Sequence, residues 1–151
     1  MPLSSCFRLL SLPCLAFGLC FLSACSSGPK DENLTLIPVT GKVFVGKKVL
    51  PTGQVTYYPD ETKGNTSNKV SSGLIQPDGT YSISTGTTRG VKEGVPAGWY
   101  KVTVGKAAVS GDTSKVKVPE FNEDYASEKT TTLRIEVKAG APAGAYDLKI
   151  N

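Results

Sequence analysis

The sequence contains no histidine among its 151 residues. Without an imidazole there is no Ser-His-Asp constellation, no histidine general base and no histidine-liganded metal site. Methionine and tryptophan occur once each, and no segment repeats apolar residues with the 3.6-residue period of a helix. These absences argue against a histidine-dependent enzyme and against a helical fold.

Blocks of like charge are also lacking. The chain carries 17 basic and 13 acidic residues, a net charge of +4, and the two signs are interspersed along its length. A nucleic-acid or anionic-membrane footprint would require a clustered basic patch. The charge pattern therefore predicts a solvated surface and no nucleic-acid partner.

Cysteine is scarce and unevenly placed, since three of the four cysteines lie in the first 20 residues and Cys25 is the last. Between Arg8 and Cys25, the stretch Leu9–Leu22 holds 14 residues without a charge. This length fits the apolar core of a secretory signal and is short for a spanning helix. The charge-free stretch continues to Pro29, which leaves a transmembrane anchor as an alternative, but Pro13 argues against it.

The run Leu22-Ser23-Ala24-Cys25 resembles the lipobox of bacterial lipoproteins. The resemblance implies a diacylglyceryl group on the Cys25 thiol, cleavage between Ala24 and Cys25, and acylation of the new amino terminus with a chain such as palmitate. A thiolate is a suitable nucleophile for this modification. One acyl chain binds a bilayer only marginally, so stable anchoring needs two or more. An ordinary cleaved signal that ends at a chance cysteine is the alternative.

This interpretation divides the chain into a signal peptide over residues 1–24, a lipidated cysteine with a flexible linker over 25–36, and a domain over 37–151. Cleavage would leave the mature chain one modified thiol and no internal disulfide. Some bacteria read an Asp after the cysteine as an inner-membrane retention signal. Ser26 stands there instead, which favours the outer membrane.

The domain shows the two-residue alternation of strands. One example is Tyr100, Val102 and Val104, which share one face, and another is Leu133, Ile135 and Val137 against charged neighbours. The alternation predicts a seven-stranded, Ig-like or prealbumin-like antiparallel β-sandwich with one core. The seven predicted strands lie within residues 39–45, 54–58, 69–76, 80–84, 99–104, 132–138 and 145–150.

The connections carry turn chemistry. Pro77-Asp78-Gly79 predicts a tight hairpin, and Gly73 suggests a bulge in its strand. The connection from Gly105 to Thr131 is unusually long for a compact sandwich, so it is either a mobile loop or an element that covers one edge. Trp99 could be an edge anchor or a partner contact, although packing is the commoner role of an aromatic residue in such a strand.

A second resemblance covers Ile37 to Ile150. The ordered series GKV, GQVTY, DGTY and GWYKVTV is similar to carboxypeptidase regulatory-like domains with a transthyretin-like (prealbumin) sandwich, and more narrowly to small planctomycete lipoproteins of that type. The resemblance implies an accessory or structural module without catalytic residues. A hydrolase of the transthyretin-related type would need histidines, which this chain lacks.

Three candidate sites are weak. Residues 41–48 nearly match a phosphate-binding loop, but they end in Lys48 and lie in a predicted strand. Asn33 and Asn65 match the glycosylation acceptor pattern, which means little in a bacterial chain. Acidic residues could ligate calcium or form an acid/base pair, but solvated loop carboxylates are the commoner case. These acidic candidates are Asp60, Glu61, Glu120, Glu123, Asp124 and Glu128.

Three functions follow from the sequence in order of preference. The first is a lipid-anchored, non-enzymatic β-sandwich of the cell envelope, which acts as a structural or interaction module and needs no cofactor or metal. The second is an envelope module that binds carbohydrate, peptide or protein through the long loop and exposed rings such as Tyr58 and Trp99. A structure in which Trp99, Tyr58 and Tyr125 are coplanar and exposed would favour this binding platform, and burial of the rings would exclude it. The third is an enzyme whose chemistry depends on carboxylates alone, and we expect that this protein is not an enzyme.

Overall fold

A computed structural model describes residues 34–106 and 117–151. These residues form an all-β sandwich with curled sheets, which confirms the predicted fold class. The predicted signal peptide, residues 1–24, and Cys25, Ser26 and Asn33 lie outside the described residues. The strands are β1 (Leu36–Ile37), β2 (Thr40–Val45), β3 (Lys48–Val49), β4 (Gly53–Pro59), β5 (Ser71–Ile75), β6 (Thr80–Ser82), β7 (Ser84–Thr87), β8 (Gly90–Glu93), β9 (Val95–Pro96), β10 (Gly98–Gly105), β11 (Arg134–Val137) and β12 (Leu148–Ile150).

Seven of these strands follow one hydrogen-bonded path in the order β11-β10-β4-β5-β6-β2-β12. The short strand β3 pairs with β2, β7 pairs with both β5 and β8, and β1 forms a separate two-stranded sheet with β9. Two 3₁₀ turns, Glu61–Lys63 and Glu123–Ala126, lie in the connections. No α-helix occurs within the two described ranges.

The buried face follows from the predicted alternation. Val102 on β10 pairs with Tyr57 on β4, and both side chains are fully buried. The core consists of Val39, Val43, Leu50, Val55, Tyr57, Ile75, Tyr81, Ile83, Val95, Tyr100, Val102, Val104, Val137, Tyr146, Leu148 and Ile150. Removal of this apolar surface from water is the main stabilising contribution to such a fold.

One pairing departs from the predicted antiparallel sheet. The C-terminal strand β12 pairs parallel with β2, with Ile150 opposite Val45. Parallel neighbours cannot be joined by a tight turn, and here almost the whole domain separates them in the sequence. Tyr146 lies just before β12, and Lys138 lies just after β11. The Tyr146 hydroxyl donates a hydrogen bond to the Lys138 carbonyl at 3.2 Å. The side chain of Tyr146 thus links the two ends of the strand path.

The hairpin predicted at Pro77–Gly79 is confirmed. Gly79 has a φ of 80°, and its N–H donates to the Gln76 carbonyl at 2.8 Å. The Asp78 carboxylate accepts hydrogen bonds from the backbone N–H and the hydroxyl of Thr80, which closes the turn.

The bulge suggested at Gly73 is wrong for the ladder between β4 and β5. Gly73 pairs with Val55 in a register that runs without interruption from Gly53 to Tyr57. The glycine is needed for a different reason. A Cβ at this position would collide with the carbonyl of Ser82, so the two backbones approach more closely than a side chain permits.

The long connection is a covering element in its described part, residues 117–131. Phe121 and Tyr125 pack against the core, and the Tyr125 hydroxyl donates to the Asn151 side chain at 2.6 Å. The Thr131 hydroxyl donates to the Val102 carbonyl at 2.6 Å. Thr103, which points away from the core in β10, is buried. Residues 107–116 of the connection lie outside the described residues.

Candidate functional site

The outer surface of β4, β10 and β11 brings several of the predicted residues together. Lys101 in β10 lies opposite Tyr58 in β4 on one side and opposite Arg134 in β11 on the other. Trp99 lies two residues earlier in β10, on the same face, opposite Glu136. We call this surface the Trp99 face; its members are Tyr58, Asp60, Lys63, Trp99, Lys101, Arg134 and Glu136.

Asp60 was predicted to be a solvated loop carboxylate, and this prediction is wrong because the residue is fully buried. One carboxylate oxygen, Oδ1, accepts hydrogen bonds from the Thr62 hydroxyl at 2.5 Å and from the Thr62 backbone N–H at 3.1 Å. The other oxygen, Oδ2, accepts no hydrogen bond and lies 3.1 Å from Nε of Arg134. A buried charge is tolerated when it is paired in this way.

The hydrogen bond from the Thr62 hydroxyl is the main cause that lowers the pKa of Asp60 below its ordinary value. The Thr62 N–H and the positive charges of Arg134 and Lys101 act in the same direction, and burial acts against them. Asp60 therefore stays ionised at neutral pH, whereas a carboxylic general acid would need a raised pKa.

The cations of the Trp99 face are held by neighbouring groups. Nη1 of Arg134 donates to the carbonyls of Thr131 at 2.8 Å and Leu133 at 3.0 Å, in addition to the Asp60 ion pair. Nζ of Lys101 lies 3.6 Å from the Glu128 carboxylate. These contacts fix the strands and the covering segment against each other, and they leave the aromatic rings as the main groups for binding.

The three rings proposed as a binding platform do not form one. Tyr58 and Trp99 share the outer face and are both partly exposed. Nζ of Lys63 lies 5.3 Å from the centre of the Trp99 ring, a cation–π distance, so one part of that ring is already covered. Tyr125 lies in the covering segment and packs against the core. Its neighbour Glu123 lies near Lys106, which follows the end of β10 opposite to Trp99.

Asn65 also has a structural role. Its side-chain amide donates to the Trp99 carbonyl at 2.8 Å, and its oxygen accepts the Ser67 N–H at 3.1 Å. The residue is buried, and a Cβ on Gly98 would lie 2.7 Å from its amide nitrogen. An amide enclosed in this way does not fit glycosylation. It positions the backbone at the start of β10 and so supports Trp99.

Two buried tyrosines have strongly raised pKa values, but they do not form a catalytic pair. The Tyr57 and Tyr81 hydroxyls lie 3.0 Å apart, and the Tyr81 hydroxyl donates to the carbonyl of Tyr146. Burial is the main cause that raises both pKa values. Both phenols therefore stay protonated in the folded protein, with their hydroxyls satisfied inside the core.

The remaining candidate sites lie in and around β2 and in the acidic residues of the loops. Residues 41–45 of the near phosphate-binding loop lie in β2, so the required loop before a helix is missing. A cleft of about 590 Å³ lies beside this strand, where the Lys42 N–H donates to the Asp147 carboxylate at 2.9 Å. In the part of the chain that the structure describes, no three acidic or cysteine residues are grouped closely enough to hold a metal ion.

Comparison with protein families, with curated proteins and with solved structures found no match to this chain. Among the described residues, no helix has the length and apolar character needed to cross a membrane. Cys25 and Ala24 lie outside these residues. The candidate functional groups are therefore Cys25, from the sequence, and the Tyr58–Trp99 part of the Trp99 face, from the structure.

Proposed function

We propose that this protein is a lipid-anchored, non-enzymatic interaction module of the bacterial cell envelope. The observation that carries the proposal is the run Leu22-Ser23-Ala24-Cys25 at the end of an apolar stretch of signal-peptide length. The all-β sandwich that begins at Leu36 supports it, because a folded module then follows a short polar linker. The transthyretin-like type of sandwich and the preference for the outer membrane, suggested by Ser26, are parts of the same proposal.

A linker of residues 26–35 sets how far the module stands from the bilayer. A flexible linker of ten residues would have a root-mean-square reach of about 17 Å, and full extension would span about 35 Å. The module therefore stays close to the membrane surface, where it meets envelope components rather than soluble ligands far from the bilayer.

Metabolic labelling with radioactive palmitate tests the anchor in cells that produce the full chain. Cys25→Ser abolishes incorporation, whereas the matched variant Cys20→Ser leaves it unchanged, because Cys20 is removed with the signal. Label that persists in Cys25→Ser, or disappears in Cys20→Ser, contradicts the assignment.

A second candidate function is the binding of an envelope glycan or peptide on the Trp99 face. The observation that favours it is the pair of partly exposed rings on one sheet surface, since aromatic faces suit sugar rings and protein hot spots. Trp99 is the only tryptophan in the chain, so its fluorescence reports this surface directly. Titration with cell-wall fragments should shift the emission, and Tyr58→Ala should weaken the response. A flat titration counts against this second function without affecting the anchor.

A further inference from the structure

Strand β8, Gly90–Glu93, is an open edge of the sheet. Its only hydrogen-bonded partner among the described residues is β7, and all four of its residues are exposed. An edge strand of this kind presents unpaired backbone N–H and C=O groups that another strand can use. Natural proteins often protect such edges with charged side chains, a bulge, a proline or a covering element; β8 contains no proline, and its charged residues are Lys92 and Glu93.

The direction of these backbone groups follows from the hairpin. Thr87 and Gly90 close a two-residue turn, and the Gly90 carbonyl accepts the Thr87 hydroxyl at 2.7 Å on the β7 side. Backbone groups alternate in direction along an antiparallel strand, so the N–H and C=O of Val91 point to the open edge. Val91 can therefore exchange two hydrogen bonds with a residue on an added strand.

The side chain of Val91 lacks an apolar partner across its own hairpin. It is 77% exposed, the highest value among the exposed large hydrophobic residues in the described part of the chain. Its cross-strand partner in β7 is Gly86, which offers no side chain. Cross-strand side-chain pairs are a main source of sheet stability, and here one half of such a pair is absent.

Among added strands, a second copy of β8 is complementary in one register. Two copies of the strand related by a two-fold axis pair antiparallel, and the residue that lies on the axis faces the same residue of the other copy. Val91 on the axis sets the two valines together and places Lys92 opposite Gly90. Lys92 or Glu93 on the axis would instead place like charges opposite each other, which is unfavourable. Gly90 on the axis would leave the valines at the ends of the pairing.

We propose that two copies of this protein associate through β8, with Val91 opposite Val91 on the two-fold axis. The contact is short and buries less surface than a standard stable interface, so the dimer is weak in dilute solution. Attachment of both copies to one bilayer would strengthen it by raising their effective concentration. The pairing itself does not depend on the anchor.

Disulfide trapping of the purified full chain in a mild detergent tests this register. Directly opposed residues in a hydrogen-bonded pair have Cα atoms about 5.5 Å apart, which a disulfide can bridge. Val91→Cys should therefore form a covalent dimer on mild oxidation, with a rate at least about fivefold above the baseline of the wild-type protein. The rate should rise with protein concentration.

Two single-cysteine additions are matched controls. Lys92→Cys lies in the same strand, but its Cα and that of its copy would be about 8 Å apart, too far for a disulfide. Leu74→Cys is also well exposed, but it lies in β5, which is paired with β4 and β6. Both should stay at the baseline. Trapping of Val91→Cys no faster than either control, or faster trapping of Lys92→Cys, overturns the proposal.

Sedimentation of the chain without added cysteine gives a second readout. Val91→Pro removes the outward N–H and leaves the hydrogen bonds to β7 in place, so the average mass should become independent of concentration. The wild-type mass should rise with concentration under the same conditions. Equal behaviour of the two proteins contradicts dimerisation through β8, whether or not Cys25 is lipidated.

Discussion

Asp60 and Arg134 form an ion pair in which the two partners differ in exposure. The carboxylate of Asp60 is fully buried, whereas the Arg134 side chain is 34% exposed, and Oδ2 lies 3.1 Å from Nε. The pair joins the end of β4 to β11 beside Trp99. It therefore connects the stability of the domain to the surface that is the candidate binding site.

Arg134→Gln should destabilise the domain, because it leaves the Asp60 carboxylate buried without its cation. Loss of one partner of a fully buried pair costs about 3–5 kcal/mol, and the partial exposure of Arg134 reduces the expected loss to about 2 kcal/mol. Chemical denaturation measures it. Glu136→Gln, which breaks the exposed pair with Lys138 at 2.9 Å, is the control and should change little. Equal effects of the two variants would show that burial of Asp60 is unimportant.

The stability of the domain should fall in acid, partly through Asp60. Its pKa is lowered in the folded state, mainly by the Thr62 hydroxyl, so the folded protein binds this proton less readily than the unfolded chain. The stabilisation is present above the unfolded pKa of about 3.9 and is lost as the pH falls through the folded-state value. Asp60→Asn should flatten this part of the profile when unfolding is followed between pH 7 and pH 2.

The Asp60 prediction needs a comparison, because the pKa of Asp78 is also lowered, mainly by the Thr80 hydroxyl. Asp78→Asn is the matched variant, and it should flatten the acid dependence less because Asp78 lies at an exposed turn. An acid profile of Asp60→Asn that is parallel to that of the wild type would contradict the assigned role of Asp60.

Tyr81→Phe should cost more stability than Tyr57→Phe. Removal of the Tyr81 hydroxyl leaves the Tyr146 carbonyl and the Tyr57 hydroxyl without their hydrogen bond, and an unsatisfied buried polar group costs about 1–3 kcal/mol. Removal of the Tyr57 hydroxyl leaves the bond from Tyr81 to Tyr146 intact. Thermal unfolding ranks the two variants, with Tyr58→Phe on the outer face as the control. The reverse order would exclude this hydrogen-bond chain.

Gly41→Ala should destabilise the domain by about 1–3 kcal/mol, the usual range for overpacking. An added Cβ would overlap the carbonyl of Tyr146 and lie 3.1 Å from the ring of Tyr81, so the connection before β12 would have to move. Gly86→Ala is the control, since nothing lies within 4 Å of its added Cβ. Chemical denaturation should separate the two variants, and a neutral Gly41→Ala would contradict the close approach.

Much of the fold could be predicted because alternation of apolar residues is a local property. Tyr100, Val102 and Val104 are buried as expected, and the Pro77–Gly79 turn closes as its residues require. The β7–β8 hairpin was not predicted, because residues 84–93 are polar or small apart from Val91. The parallel pairing of β12 with β2 was not predictable either, because alternation is the same in parallel and antiparallel strands.

The candidate site was less predictable than the core. Tyr58 and Trp99 were singled out and do share one face, but the third ring, Tyr125, packs elsewhere. Asp60 was taken as a solvated carboxylate, since no local pattern shows that Arg134, more than seventy residues later, lies beside it. Such pairs depend on strand order, which is set by the whole chain.

The mass of the protein purified from bacterial membranes tests the central proposal most directly. We expect a chain that lacks residues 1–24, begins at Cys25 and carries the added mass of a diacylglyceryl group and an amide-linked acyl chain. A protein that retains its first 24 residues, or that begins at an unmodified residue, would contradict the lipid anchor.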